Sequence, residues 1–310
     1  LRSKIPNIFK AELCLARRSH PCPSRKKSSK YFEPFLYLSK MEIIFILVIV
    51  AIVGSGFLYT LMFFISLMDD VSIYLFNKPL YIHLYLNPKK IVPEQEYILR
   101  QKVQFYNKLT DKQKNYFHHR IACFTDKYQF IAREDFKITK EVETLIAASY
   151  VILTFGMRRY LVDAFDKIII YPEEYLSTQN QEYFKGEFNP RMKAVVFSWK
   201  DFLEGYEIDN DNLNLGIHEF SHVVHFHSLK NNDASSLTFR KYYTQLNKEV
   251  NHPPNKERLI DSDYFRIYAK TNHYEFVSVI IEHYFETPNE FKRKFPELFQ
   301  NVSRMLNHKA

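Results

Sequence analysis

His218-Glu219-Phe220-Ser221-His222 places two imidazoles four residues apart, with a carboxylate directly after the first. On an α-helix, residues four apart lie ~40° apart around the axis and ~6 Å along it. Both rings can therefore address one ion. Two neutral imidazoles suit zinc, and a catalytic zinc site takes three protein ligands and keeps a further position open. Glu219 points to one flank of the pair, where it could take a proton from a water made acidic by the ion. The surrounding residues Leu215, Ile217, Phe220, Val223, Val224 and Phe226 are apolar. Two histidines and a glutamate in such a helix need a partner to offset desolvation, and a metal supplies one. The competing reading is a helix end with satisfied surface histidines.

A third ligand has to come from elsewhere. The metzincin pattern requires Gly at 225 and His at 228; the chain has His225 and Ser228, which excludes that class. A downstream glutamate is the alternative, and "NHYEFVSVIIEHYFE" offers Glu275 and Glu282, seven apart on one helix face. Glu275, Ser278, Glu282 and Glu286 equally read as the wet stripe of an amphipathic helix. Periodicity does not choose between the two.

The elements that must position these residues read as helices, a few strands, then helices. Pro93 opens a helix-like segment through Leu109. Thr110-Asp111 caps a helix running towards Ile131. Thr139 caps "KEVETLIAASYVILTF", apolar over most of its circumference and so expected to be central, with Gly156 as its stop. "KIIIYP" and "KAVVFSW" read as strands. After the Asn-rich entry to the H-E-x-x-H helix, more helix is expected at about 236–249, 273–286 and 295–307. This is α+β, with a small sheet beside the H-E-x-x-H helix.

Composition narrows the function. Six glycines and no P-loop or dinucleotide fingerprint argue against phosphate-cradling loops. Cys14, Cys22 and Cys123 are too few and too scattered for a disulfide framework or a cysteine zinc knuckle. The net charge is +8, but residues 1–40 carry ten basic and two acidic residues, so the remainder is neutral. Nucleic acid is therefore not an expected partner of the main domain.

From Ile43 to Met68 no residue is charged. Those 26 residues would span ~39 Å as a helix, against a hydrocarbon core of ~30 Å, so a tilted membrane helix fits. The expected organisation is a basic, unstructured leader at 1–40, a transmembrane helix at 42–68, a partly extended juxtamembrane segment at 71–92 and a catalytic domain at 93–310. A translated leader would sit inside and send the domain outside. The chain begins with Leu, however, and Met41 stands just before the apolar run. From that start, Lys78, Lys89 and Lys90 lean towards a domain on the cytoplasmic side, as does unpaired Cys123.

"NLNLGIHEFSH" resembles the N-x-x-x-H-E-F-A-H of the Mlc-titration-factor (MtfA) family of zinc peptidases. "LTDKQKNYFHHRIACFTDKYQFI", "ITKEVETLIAASYVILTFG", "IIIYPEEY" and "VVFSWKDFLEG" resemble its successive upstream elements. "IYAKTNHYEFVSVIIEHYFETPNEFKRKFPELF" is similar to its Y-A-x-x-x-x-x-E-x-F-A-V-x-S-E-x-F-F-x-x-P signature. The resemblance is collinear over about residues 95–307. It implies a zincin-like α+β core and one zinc on His218, His222 and Glu275. It also implies Glu219 as base, Tyr268 as a donor to the developing oxyanion, and supporting positions at Glu282 and Asn214. Peptides or small proteins become the substrates, with aminopeptidase-like hydrolysis favoured. A second implied role is regulatory, the capture of a partner such as a transcriptional repressor around a structural zinc site. The chain departs from the family at His225, where Asp is usual, and in "HSLKNNDASS", where a Gly-rich stretch is usual. Residue 225 lies ~20° off the direction of His218 on a helix, so His225 is expected to face the metal side and support the ligand histidines.

Overall fold

The structure is a computed structural model that describes residues 39–76, 79–176, 182–207, 213–265 and 272–308. The chain divides into two compact units, residues 1–59 and 60–310. Helix α1 (Lys40–Phe76) is apolar, and its most apolar 18-residue window has a mean hydropathy of 2.6 with no residue buried. Among the described residues it is the one helix long and apolar enough to cross a membrane. It contains the expected 42–68 span and continues into the juxtamembrane segment, of which 79–92 forms neither helix nor strand.

Within the larger unit, that segment is fastened by side chains. Buried Asp69, near the end of α1, meets Arg158 at 2.6 Å and accepts the Leu80 N–H at 2.8 Å. The Tyr85 hydroxyl accepts from Arg120 at 2.8 Å.

Helices α2 (Pro93–Lys102) and α3 (Gln104–Asn107) are separated by extended Val103, so the continuous segment expected through Leu109 is broken. Helix α4 (Asp111–Lys127) starts on a capping box, with Thr110 Oγ1 accepting from Gln113 N and Gln113 Oε1 from Thr110 N. It ends four residues before Ile131. Tyr128 turns extended, and Gln129–Ala132 become strand β1, paired with Lys167–Ile170. A long-range partner took residues whose local pattern would also have continued the helix.

Helix α5 (Lys140–Thr154) is the expected central helix, buried continuously from Thr144 to Thr154. It packs against α2, α4 and α7 (Leu215–Lys230). Strands β2 (Lys167–Tyr171) and β6 (Ala194–Ser198) are as read from their β-branched runs. The short pieces β3 (Tyr175–Leu176), β4 (Tyr183–Phe184) and β5 (Gly186–Asn189) carry too little pattern to be seen beforehand. The four-stranded sheet has the order β1-β2-β6-β5, parallel except for antiparallel β5 at the edge; β3 and β4 form a separate pair. Strands β2 and β6 are apolar without alternation because both faces are covered.

The remaining helices are α6 (Trp199–Glu207), α8 (Ala234–Asn251), α9 (Pro253–Asp261), α10 (His273–Glu286), α11 (Pro288–Lys294) and α12 (Pro296–Met305). Three of them begin at proline, which presets the first helical turn and gives up an N–H that needs no partner there. Helix α7 lies among α5, α8, α10 and the β5–β6 edge. Gly216 permits its entry, since a Cβ there would stand 2.6 Å from Ser149 Oγ and 2.7 Å from the Phe202 ring.

Candidate metal centre

Helix α7 is started by Asn214, whose side chain accepts from Ile217 N at 3.0 Å and donates to Gly205 O at 3.2 Å. The Asn214 side chain thus fixes where the helix begins, while its carbonyl accepts from the backbone N–H of His218 at 2.9 Å. Helix α10 is capped in the same way, Asn272 accepting from Tyr274 N at 2.9 Å. The two helices pack together and aim three groups at one point. Nε2 of His218 and Nε2 of His222 are 3.2 Å apart. Glu275 brings Oε2 to 3.1 Å from His218 and Oε1 to 3.4 Å from His222. Ligands about 2.0–2.1 Å from a tetrahedral zinc are separated by ~3.3 Å, so the spacing fits that ion.

The outer nitrogens set the tautomers. His218 Nδ1 donates to Glu282 Oε1 at 2.6 Å, and His222 Nδ1 donates to Ser278 Oγ at 3.3 Å. Each ring in its neutral form then turns an Nε2 lone pair towards the carboxylate of Glu275. Converging lone pairs need a cation between them, either a proton on His218 shared with Glu275 or a metal ion, and the donor set of two imidazoles and a carboxylate is one that zinc accepts. The local field agrees. Burial opposes charge on His218, but its bonds to Glu275 and Glu282 outweigh this and push it up to about 10. A site that stabilises a proton so strongly stabilises a divalent cation for the same reason. Burial, and then the charge of His218, push His222 down to about 4.

The stripe Glu275–Ser278–Glu282 is not a wet face. Ser278 and Glu282 are each 1% exposed and turn towards α7. The solvent reading failed because the partners of Ser278 and Glu282 lie 56 and 64 residues away in sequence. Ser278 was visible only as a member of that stripe, with no local sign of its bond to His222.

Glu219 lies on the flank of the pair and is buried. Burial is the chief cause that pushes its carboxyl up to about 7, against the charge of His218 and a bond from the Phe188 N–H of β5. Strand β5 passes directly over it. A Cβ on Gly186 would lie 2.9 Å from Glu219 Cγ and 3.0 Å from Oε1. Gly186 and Phe188 were missed because a four-residue edge strand has no readable period.

His225 is placed differently from expectation. Its ring is 1% exposed, and neither nitrogen has a hydrogen-bond partner. It sits among aromatic rings, with centroids 4.4 Å from Tyr243, 4.9 Å from Tyr274 and 5.8 Å from Phe239. The helical direction was right, but α8 and Tyr274 close over the ring, and it makes no hydrogen bond to His218 or His222. Burial pushes it down to about 4, so it is neutral. Tyr268 lies outside the described residues.

Comparison with known proteins points to a metallopeptidase family. The family model described as glucose-regulated metallo-peptidase M90 matches residues 82–306. The chain is 26% identical over 236 residues to the uncharacterised protein slr2042 of Synechocystis, covering 68% of this chain and 82% of that protein. It is 22% identical over 198 residues to Mlc titration factor A of Klebsiella pneumoniae, covering 58% of this chain and 73% of that one. The Salmonella agona protein of the same name gives 22% over 196 residues, with 57% and 72% covered. The match runs from the juxtamembrane segment to the last helix and takes in α7 and α10 whole, and on that extent the chain belongs to the glucose-regulated metallo-peptidase M90 family, which includes the Mlc titration factors.

Proposed function

We propose that this chain is a zinc-dependent peptidase with a zincin-like core, anchored in a membrane by α1. One observation carries the reading: His218, His222 and Glu275 converge at 3.1–3.4 Å while both outer imidazole nitrogens are engaged by Glu282 and Ser278. These three side chains would hold one zinc ion, which supplies a Lewis acid for a peptide carbonyl and lowers the pKa of a water.

The protein's own groups do the rest. Glu219, pushed up to about 7, is poised to take a proton from the attacking water near neutral pH and return it to the leaving amine. The Phe188 N–H and the close pass of Gly186 orient that carboxylate. Glu282 and Ser278 hold the imidazoles in the tautomer that leaves Nε2 free to ligate. Tyr268 is assigned, from the family signature alone, the role of donor to the carbonyl oxygen as negative charge grows on it. Substrates are peptides or small proteins, cut in aminopeptidase-like fashion by the domain at 93–310, on the cytoplasmic side of the membrane.

Three relatives bear the name Mlc titration factor A, which favours one second reading: capture of a regulatory protein, with the metal structural. Glu219→Gln separates the two. The variant is expected to keep one zinc per chain and lose peptide-amide hydrolysis by about 10²–10⁴-fold. Unchanged hydrolysis sinks the peptidase reading, and partner capture indifferent to both Glu219→Gln and chelation supports the second.

A further inference from the structure

A cavity of about 1150 Å³ in the 60–310 unit is not lined by the ligand cluster. Its inner wall reaches α7 at Asn214 and Ile217, and its outer wall includes Phe76, Pro79 and Ile82. We propose that this cavity binds the acyl chain of an anionic single-chain lipid drawn from the membrane in which α1 is anchored. The proposal rests on the anchor reading of α1.

Position supports it first. Phe76 is the last residue of α1 and lines the cavity. Met68, the end of the charge-free run, lies eight residues earlier, or ~12 Å along the same helix. The headgroup layer adds roughly 5–7 Å to each side of the hydrocarbon core. The cavity wall therefore begins close to where the bilayer ends.

Chemistry supports it next. Leu109, Phe105, Ile152, Phe155 and Phe285 give the wall an apolar surface that a hydrocarbon chain can cover. The volume exceeds the ~300–1,000 Å³ of ordinary small-molecule pockets, which suits a long flexible chain. Exposed Lys108 and Arg304 line the cavity as well, against the single carboxylate of Glu286. Lys102 also lines it, paired with Glu141 outside the lining. The balance of charge is positive, which favours an anionic head over a zwitterionic one.

The test uses the full chain in nanodiscs. The probe is a 16-carbon fatty acid carrying a mid-chain diazirine, and cross-linked residues are mapped by mass spectrometry. Labelling is expected at cavity residues such as Leu109, Ile152 and Phe155. It should fall at least fivefold in Ile152→Trp and in Leu109→Trp, which fill the cavity from two sides. Palmitate should compete better than lysophosphatidylcholine of the same chain length, and Lys108→Glu with Arg304→Glu should remove that preference. Zinc content reports whether the plugged variants remain folded; the surface pair Lys108→Glu and Arg304→Glu tests the site if they do not. Labelling confined to residues 43–68, or undiminished by both plugs with zinc retained, overturns the proposal. Equal competition by the two lipids overturns its anionic part. Extraction of the chain from membranes by alkaline carbonate defeats the anchor reading separately, whatever the labelling shows.

Discussion

His218 Nδ1 lies 2.6 Å from Glu282 Oε1, and Glu282 stands two helical turns beyond Glu275, which faces the other nitrogen of the same ring. One imidazole is thus gripped at both ends by carboxylates from one helix. Such a carboxylate behind a ligand histidine fixes the tautomer and raises ligand basicity. Glu282→Gln keeps the shape and removes the charge. Zinc affinity, measured by competition with a chromophoric chelator, is expected to fall about 10–100-fold. Ser278→Ala, which removes a longer and neutral bond to His222, should cost less. Equal affinities for all three proteins would show that Glu282 is a bystander.

The close pass of β5 over Glu219 leads to a variant that spares the metal. Gly186→Ala places a methyl 2.9 Å from Glu219 Cγ, nearer than real Cβ atoms approach. The methyl also stands 2.8 Å from Leu215 Cδ1, so both side chains must shift, Glu219 away from the Phe188 N–H. Hydrolysis by the variant should fall on the order of 10²-fold in kcat, as expected when a catalytic group is displaced by about an ångström. Zinc affinity should stay within twofold, because the atoms nearest the new methyl belong to Leu215 and Glu219 and not to a ligand. A parallel loss of zinc would mean that β5 supports the ligands rather than the base.

Much of the centre was legible because its residues are local. His218, Glu219 and His222 lie within five positions, and the helix that carries them is marked by a capping Asn and an apolar surround. Glu275 was visible as one of two glutamates, and only its family signature separated it from Glu282. What stayed hidden depends on partners distant in sequence. Strand β1 exists because Ile168–Ile170 pair with Phe130–Ala132, and the closure of α8 over His225 is invisible in a helical wheel. Edge strand β5 is four residues long, too short to announce itself, yet it touches the base.

His225 should make stability depend on pH. Its ring is pushed down to about 4 by burial, against an ordinary value of 6.5 when unfolded. Between about pH 6.5 and pH 4 the unfolded chain therefore takes up a proton that the folded chain refuses. Its share of stability is complete above pH 6.5 and is lost as the pH falls towards 4. His83 and His308 are depressed in the same direction and add to the loss, while Glu219, pushed up to about 7, opposes it above about pH 4.5. His225→Phe removes one member of the set and leaves an aromatic ring of similar size. Its loss of stability from pH 7 to pH 4 should be smaller than wild type's by on the order of 3 kcal/mol. At pH 7 it should be at least as stable, since two buried nitrogens without partners disappear. Chemical denaturation of both proteins in detergent at several pH values checks this, and parallel curves would refute it.

Arg120 gives a final prediction about what holds the domain to its juxtamembrane segment. The guanidinium is fully buried, with no carboxylate among its hydrogen-bond partners. It donates to the carbonyl of Thr154, the last residue of the central helix α5, at 2.6 Å, to that of Met157 just past it at 2.7 Å, and to the Tyr85 hydroxyl. Its flat face lies 4.2 Å from the Tyr160 ring centroid. Burial is the chief cause that lowers its pKa, and it is offset by these tyrosines. Arg120→Lys retains a cation but cannot span three acceptors and a ring with one ammonium. It should lose about 2–4 kcal/mol of stability, because two carbonyls and a hydroxyl are left short of donors. Arg120→Met, which drops the buried charge as well, should be no worse than Lys. Tyr85→Phe should cost about 1 kcal/mol and speed proteolysis within residues 79–92, the segment its bond restrains. If Arg120→Lys proves as stable as wild type, the clamp is ornamental and the segment is held by Asp69 and Arg158 instead.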